Sequence, residues 1–218
     1  SGESNTIYIN SRQGFFSDET FLAGLGQPSL NYLGFGTKLL DLDYDGWLDL
    51  FVVNGHVIDN INYFNKDYTQ AQRKQIFLNN QNGTFRELPP DRIGDASHLS
   101  VGRGAAFGDL DNDGFLDFYL GTGATGYHVL VPNIMFRNRG GKGFSDVTNA
   151  GGFGHLQKGH GISFADIDND GDQDIFSELG GAYPGDTAAN ALFVNPGFGN
   201  HWITIDLAGT TSNRSAIG

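Results

Sequence analysis

Asp41-Leu42-Asp43-Tyr44-Asp45-Gly46-Trp47-Leu48-Asp49 is a phrase the chain writes three times. It returns as Asp109-Leu110-Asp111-Asn112-Asp113-Gly114-Phe115-Leu116-Asp117 and as Asp166-Ile167-Asp168-Asn169-Asp170-Gly171-Asp172-Gln173-Asp174. Carboxylates at alternate positions, with a glycine sixth for a sharp turn, suit a hard cation that takes six or more oxygens, which is calcium. Four carboxylates in one short loop repel one another unless a cation sits among them. The expected ligands are Asp41, Asp43, Asp45 and Asp49; Asp109, Asp111, Asp113 and Asp117; and Asp166, Asp168, Asp170 and Asp174. Position 7 is expected to add a backbone carbonyl, from Trp47, Phe115 and Asp172, so the extra carboxylate of Asp172 need not ligate. One such turn could be accidental acidity; three in one chain could not.

An EF-hand shares the first six positions but closes its site with a bidentate Glu at position 12, between two helices. Position 12 here is Val52, Leu120 and Ser177. The segments that follow, Leu48 to Val53, Phe115 to Leu120 and Asp174 to Phe176, are short apolar and aromatic runs of strand type. The EF-hand is therefore excluded.

The loops start 68 and 57 residues apart, and each carries the same surroundings. Upstream stands a glycine pair: Gly34-Phe35-Gly36, Gly102-Arg103-Gly104 and Gly159-His160-Gly161. Downstream comes an aromatic, any residue, then asparagine: Phe77-Leu78-Asn79, Phe136-Arg137-Asn138 and Phe193-Val194-Asn195. In the first two copies a further strand follows, Gly83 to Glu87 and Gly143 to Val147. Four short strands per unit of roughly fifty residues, with the acidic loop between the first and second, is the pattern of a β-propeller blade. Paired glycines belong on the innermost strands, where blades crowd around the axis. A β-sandwich gives no reason for one phrase to recur.

These stretches resemble the FG-GAP, or VCBS, repeats of the integrin α-chain head. More closely, the chain is similar to bacterial proteins with an ASPIC/UnbV domain, relatives of cartilage acidic protein. That resemblance rests on Asn54-Gly55-His56-Val57, Gly159-His160-Gly161, Gly180 to Asp186 (with Tyr183), Asn195-Pro196-Gly197, Asn200 to Leu207 and Ser212-Asn213-Arg214. It implies an all-β fold: a propeller built from four-stranded blades with calcium loops, about three and a half of them here. The expected boundaries are blades over residues 1–199 and the start of an ASPIC/UnbV-like segment over 200–218. Within the first part, 6–18 supplies half a blade, and 34–92, 102–148 and 159–199 supply three more. Since an open arc leaves blade faces bare, the remaining blades are expected from a longer chain or from self-association.

Composition agrees with a secreted, extracellular or periplasmic protein. The chain has no cysteine, so neither a disulfide framework nor a thiolate metal site exists. A net charge of −12 excludes generic binding to nucleic acid, whose phosphates need a basic surface. Twelve of the 25 acidic residues are the aspartates at loop positions 1, 3, 5 and 9, and three calcium ions would bring −12 to −6. Weak calcium sites stay loaded outside the cell, which argues for export. No signal peptide is visible at Ser1, and no apolar run approaches the roughly 20 residues of a membrane span.

Strand alternation puts the acidic loops on one face of the blades. On the other lie the long connections, from Gly55 to Gln75, Gly121 to Pro132 and Gly180 to Ala189, and the linkers, from Leu88 to Val101 and Asn149 to Lys158. Candidate ligand-binding residues on that second face are His56, His98, Tyr127, His128, Tyr183 and Asp186. A plainer reading is that each histidine caps a turn. No G-x-S-x-G, H-E-x-x-H or P-loop phrase is present. The leading expectation is a calcium-binding module that engages a protein or carbohydrate partner. Alternatives are a sugar-active lyase or dehydratase, with His155, Lys158 and His160 as acid/base candidates, or a purely structural module of a larger surface protein. Each calcium loop is expected to be local to its own blade.

Overall fold

A computed structural model describes residues 2–124, 126, 130–181, 184–199, 201–203, 205, 208 and 210. A hairpin of β1 (Tyr8–Asn10) and β2 (Phe16–Asp18) comes first. A four-stranded antiparallel sheet follows, ordered β3 (Gly34–Leu40), β4 (Asp49–Asn54), β5 (Gln75–Asn79) and β6 (Phe85–Glu87). The second sheet repeats it with β7 (Gly102–Gly108), β8 (Asp117–Thr122), β9 (Ile134–Asn138) and β10 (Phe144–Asp146). The third has three strands among the described residues, β11 (Gly159–Ala165), β12 (Asp174–Leu179) and β13 (Ala191–Phe193). A fourth strand there was expected near His201 to Leu207. His201, Trp202 and Ile203 are not in a strand, and Thr204, Asp206 and Leu207 lie outside the described residues. Among the described residues helix is confined to single turns in connections, such as α1 (Gly26–Ser29), α2 (Ile61–Phe64) and α3 (Thr148–Gly151). No described helix is long and apolar enough to cross a membrane.

The runs after the first two loops are continuously apolar because those two sheets are packed on both faces, whereas β12 alternates buried with exposed residues. On β4, Phe51 and Val53 face the second sheet, while Val52 faces the N-terminal segment with Ala23 and Leu25. On β8, Phe118 and Leu120 face the first sheet and Tyr119 faces the third, against Met135 and Ile175. This period of two is strand geometry. Phe118 anchors the first seam, with ring centroids 5.0 Å from Phe51, 4.6 Å from Phe136 and 4.9 Å from Phe144. The Val52, Leu120 and Ser177 side chains that displaced the EF-hand reading are all buried in these seams.

The innermost strands crowd. A Cβ on Gly104 would sit 1.9 Å from the backbone oxygen of His160 on the next sheet's first strand, so β7 and β11 meet backbone to backbone. The N-terminal hairpin matches the third and fourth strands of the sheets in register. Tyr8 pairs with Asp18 and Asn10 with Phe16, as Phe77 pairs with Glu87 and Asn79 with Phe85. The architecture is all-β, with four-stranded sheets repeated side by side, a partial propeller with no closed barrel.

Candidate metal centres and the opposite face

Each acidic loop is wound around its own carboxylates. The first aspartate accepts two backbone N–H groups: Asp41 takes those of Asp45 at 3.0 Å and Gly46 at 2.9 Å. Asp109 and Asp166 repeat the pair with Asp113 and Gly114 and with Asp170 and Gly171. The fifth-position carboxylate accepts the N–H of position 7, seen from Asp45 to Trp47, Asp113 to Phe115 and Asp170 to Asp172. Position 4 is left-handed in all three loops, at Tyr44, Asn112 and Asn169 with φ of 60°, 53° and 62°. Position 6 is too, with φ of 87°, 90° and 93°, which is why it is glycine. The turn folds the chain so that alternate side chains converge.

One oxygen from each of three carboxylates lies within 4.8 Å of the others in every loop. The sets are Asp41, Asp43 and Asp45; Asp109, Asp111 and Asp117; and Asp166, Asp168 and Asp174. The donors are all hard oxygens, which fits a calcium-type cation and not a soft one. Asp49 stands outside the first set, and Asp113 and Asp170 outside the second and third.

Position 9 does a second job. Asp49 accepts the N–H of Leu42 at 3.0 Å on one oxygen and that of Asn79 at 2.8 Å on the other. Asp117 does the same with Leu110 at 3.0 Å and Asn138 at 2.7 Å. Asp174 does so with Ile167 and Asn195, both at 2.9 Å. The asparagine at the end of β5 and β9, or two residues past the end of β13, then reaches back, donating from Asn79 to the Leu48 carbonyl, from Asn138 to that of Leu116 and from Asn195 to that of Gln173. Aspartate and asparagine thus clamp the loop to the third strand. The recurrent asparagine was visible in the sequence; its partner was not.

Burial, and then the neighbouring carboxylates, raise the pKa of Asp49, Asp111, Asp117 and Asp168. Asp117 is pushed up to about 7, first by burial and then by Asp111 and Asp113, against the two backbone donors that lower it. Burial likewise raises Asp49 and Asp111, although the Arg137 guanidinium pulls Asp111 back.

The loops are not local to their blades. Tyr44 donates from its hydroxyl to the Gly114 carbonyl at 2.5 Å, and its ring meets Phe115 edge-on at 5.5 Å. Asn112 donates to Asp172 Oδ1 at 2.5 Å. In the first two loops the left-handed fourth residue throws its side chain outward, onto the next loop. Spacing within one loop gave no sign of this, because the partner lies 60 or 70 residues away.

A profile of the FG-GAP-like repeat matches residues 41–120 and 124–177. The chain belongs to the FG-GAP-like repeat family. It is a propeller-like module of a class that is typically extracellular, and FG-GAP repeats often bind calcium. No curated protein matches the chain.

On the opposite face of the FG-GAP sheets, two histidines cap turns. His56 is buried and accepts the Ile58 N–H on Nδ1 at 3.1 Å; burial holds its pKa below the usual range. His155 accepts the Gln157 N–H at 3.2 Å. Lys158 is buried and pairs with Asp186 at 3.2 Å. His160 is exposed on β11, and neither the His155 bond nor the Lys158 pair involves it. His98 is exposed, and its carbonyl accepts Lys74 Nζ at 2.8 Å. Tyr127, His128 and Tyr183 lie outside the described residues.

Sequence reasoning passed over Arg103. It stands between the paired glycines of β7, where the other copies have Phe35 and His160. Its guanidinium is buried over the Phe35 ring at 4.4 Å and donates to the Gly55, Gly102 and His56 carbonyls. Burial lowers its pKa to about 10. The variable residue within an otherwise fixed G-x-G was the signal. Arg137, the variable residue of the aromatic-x-Asn phrase, was passed over in the same way.

Proposed function

We propose that this chain is a secreted, calcium-stabilised propeller module that binds a protein or carbohydrate partner through the face of long connections, with Asp41–Asp49, Asp109–Asp117 and Asp166–Asp174 each holding one calcium ion. The observation that carries the calcium reading is the threefold convergence of carboxylate oxygens in identically wound loops. Asp41, Asp43 and Asp45 in the first loop, Asp109, Asp111 and Asp117 in the second, and Asp166, Asp168 and Asp174 in the third would hold the ion. Trp47, Phe115 and Asp172 would add main-chain oxygens, and the position-9 aspartates would tie the filled loop to the third strand. Calcium supplies charge neutralisation there; the chain supplies the shaped turn.

The resemblance to ASPIC/UnbV proteins supports a blade region over 1–199 and a separate segment from residue 200. Bare apolar side chains on the outer face of the third sheet, Phe176 and Leu192, support further blades beyond it, from a longer chain or a second copy. Partner binding is supported by the fold class and by loops that leave the sheets intact whatever their sequence. The lyase alternative draws no support from its acid/base candidates, since His155 caps a turn and Lys158 holds an ion pair.

Binding to the folded loops and not to the unfolded chain adds about 2.7 kcal/mol per site when free calcium is a hundredfold above its dissociation constant. The melting temperature is therefore expected to fall sharply when calcium is replaced by EDTA. An unchanged transition would remove calcium from the account.

A further inference from the structure

The three loops share their turn and their clamp but not their electrostatic surroundings. The residue between the aromatic and the asparagine of the third strand is Leu78 in the first unit, Arg137 in the second and Val194 in the third. Arg137 forms an ion pair with Asp111 through Nη2, and the same nitrogen lies 3.8 Å from Asp113 Oδ2. Asp111 is almost wholly buried, whereas the arginine is 53% exposed. The backbone that carries Arg137 cannot withdraw. Phe136 before it is locked in the seam between the first two sheets, and Asn138 after it is clamped to Asp117 and Leu116. The other loops differ in kind. Beside the first, neutral Gln81 donates to Asp45 Oδ2 at 2.9 Å. The third carries an additional carboxylate, Asp172.

We infer that Arg137 makes the second loop the weakest of the three calcium sites, by acting as a cation built into the chain that competes for its ligands. The inference rests on the calcium reading above. An arriving divalent ion meets a guanidinium already placed on two of its carboxylates. Either the guanidinium is displaced, and its ion pair is lost, or it stays and repels the ion. Both lower affinity, and a unit charge at this range, half screened by water, weakens binding roughly three- to tenfold. In the absence of calcium the sign reverses. Arg137 then offsets the repulsion among Asp109, Asp111 and Asp113 and steadies the empty loop. As calcium rises, the first and third loops fill before the second, the one that touches both its neighbours through Tyr44 and Asn112.

The test is a calorimetric calcium titration at low ionic strength on the wild type, Arg137→Leu, which installs the first unit's residue, and Arg137→Lys, which keeps the charge. Melting in EDTA is recorded for each. The wild type should show two tighter sites and one weaker. Arg137→Leu should tighten one site by roughly three- to tenfold and melt lower in EDTA, and Arg137→Lys should stay weak. That opposed response, tighter when loaded and less stable when empty, is not what a merely structural side chain would give. Should Arg137→Leu fail to fold, salt added to the wild type must narrow the gap between weak and tight sites. Three equal sites, or an Arg137→Leu titration identical to wild type, would overturn the inference while leaving the calcium reading intact. No calcium binding by any variant would overturn both.

Discussion

Lys74 is a charged side chain that the fold buries almost completely. It is buried, with its ammonium 5.0 Å from the Phe136 ring and its proton donated to the His98 carbonyl, and burial lowers its pKa to about 8. Below pH 8 both folded and unfolded chains carry the proton, so the full cost of burying the charge is present. Between about 8 and the ordinary value of 10.5 the unfolded chain keeps a proton the folded one has released. Stability should therefore rise with pH in that window, by up to about 1.4 kcal/mol per unit. Urea unfolding at both ends of the window checks this, with Lys74→Met expected to lose the rise. An equal rise in both proteins would assign it to another group. Nothing local in the sequence marked Lys74, because its burial comes from a ring and a carbonyl in distant segments. The loop aspartates were legible for the opposite reason, since their chemistry is contained in nine consecutive residues. Even there the sequence showed position 9 only as a ligand, and its two backbone acceptances needed the third strand in place.

At the level of the strand, two simple rules account for most of what is observed. Acidic turns and glycine pairs punctuate the chain, and between them apolar runs buried on both faces form the sheets. Those rules made the first two four-stranded sheets readable from the sequence; the N-terminal hairpin, whose strands are exposed, was readable only by its likeness to third and fourth strands. The contacts between sheets were less readable, since they depend on which innermost backbone faces which. Gly104 tests that packing. A methyl group there would lie 1.9 Å from the His160 oxygen, backbone against backbone, and no rotamer can relieve it. Gly104→Ala is expected to cost at least about 3 kcal/mol, more than ordinary overpacking, because strands β7 and β11 must part. Gly114 presents the other case. Its left-handed φ of 90° makes substitution strained, yet nothing crowds its missing side chain. Gly114→Ala should cost only about 1 kcal/mol beyond its effect on metal binding. Chemical denaturation of the pair separates crowding from backbone strain, and equal losses would contradict this reading of the innermost strands.

Across the whole molecule, the acidic loops form a connected row along one face, and the long connections gather on the other. The row explains why so acidic a chain can fold: its excess charge is concentrated where a few cations can neutralise it. It also means that the acidic loops tie neighbouring sheets together, through Tyr44 and Asn112, in addition to closing their own turns. The central claim, that each repeated aspartate turn holds one calcium ion, is tested most directly by an anomalous difference map from a crystal grown with calcium. Three peaks are predicted, one among Asp41, Asp43 and Asp45 and one in each of the other two loops. A map with those turns intact and no peak in any of them would contradict the account.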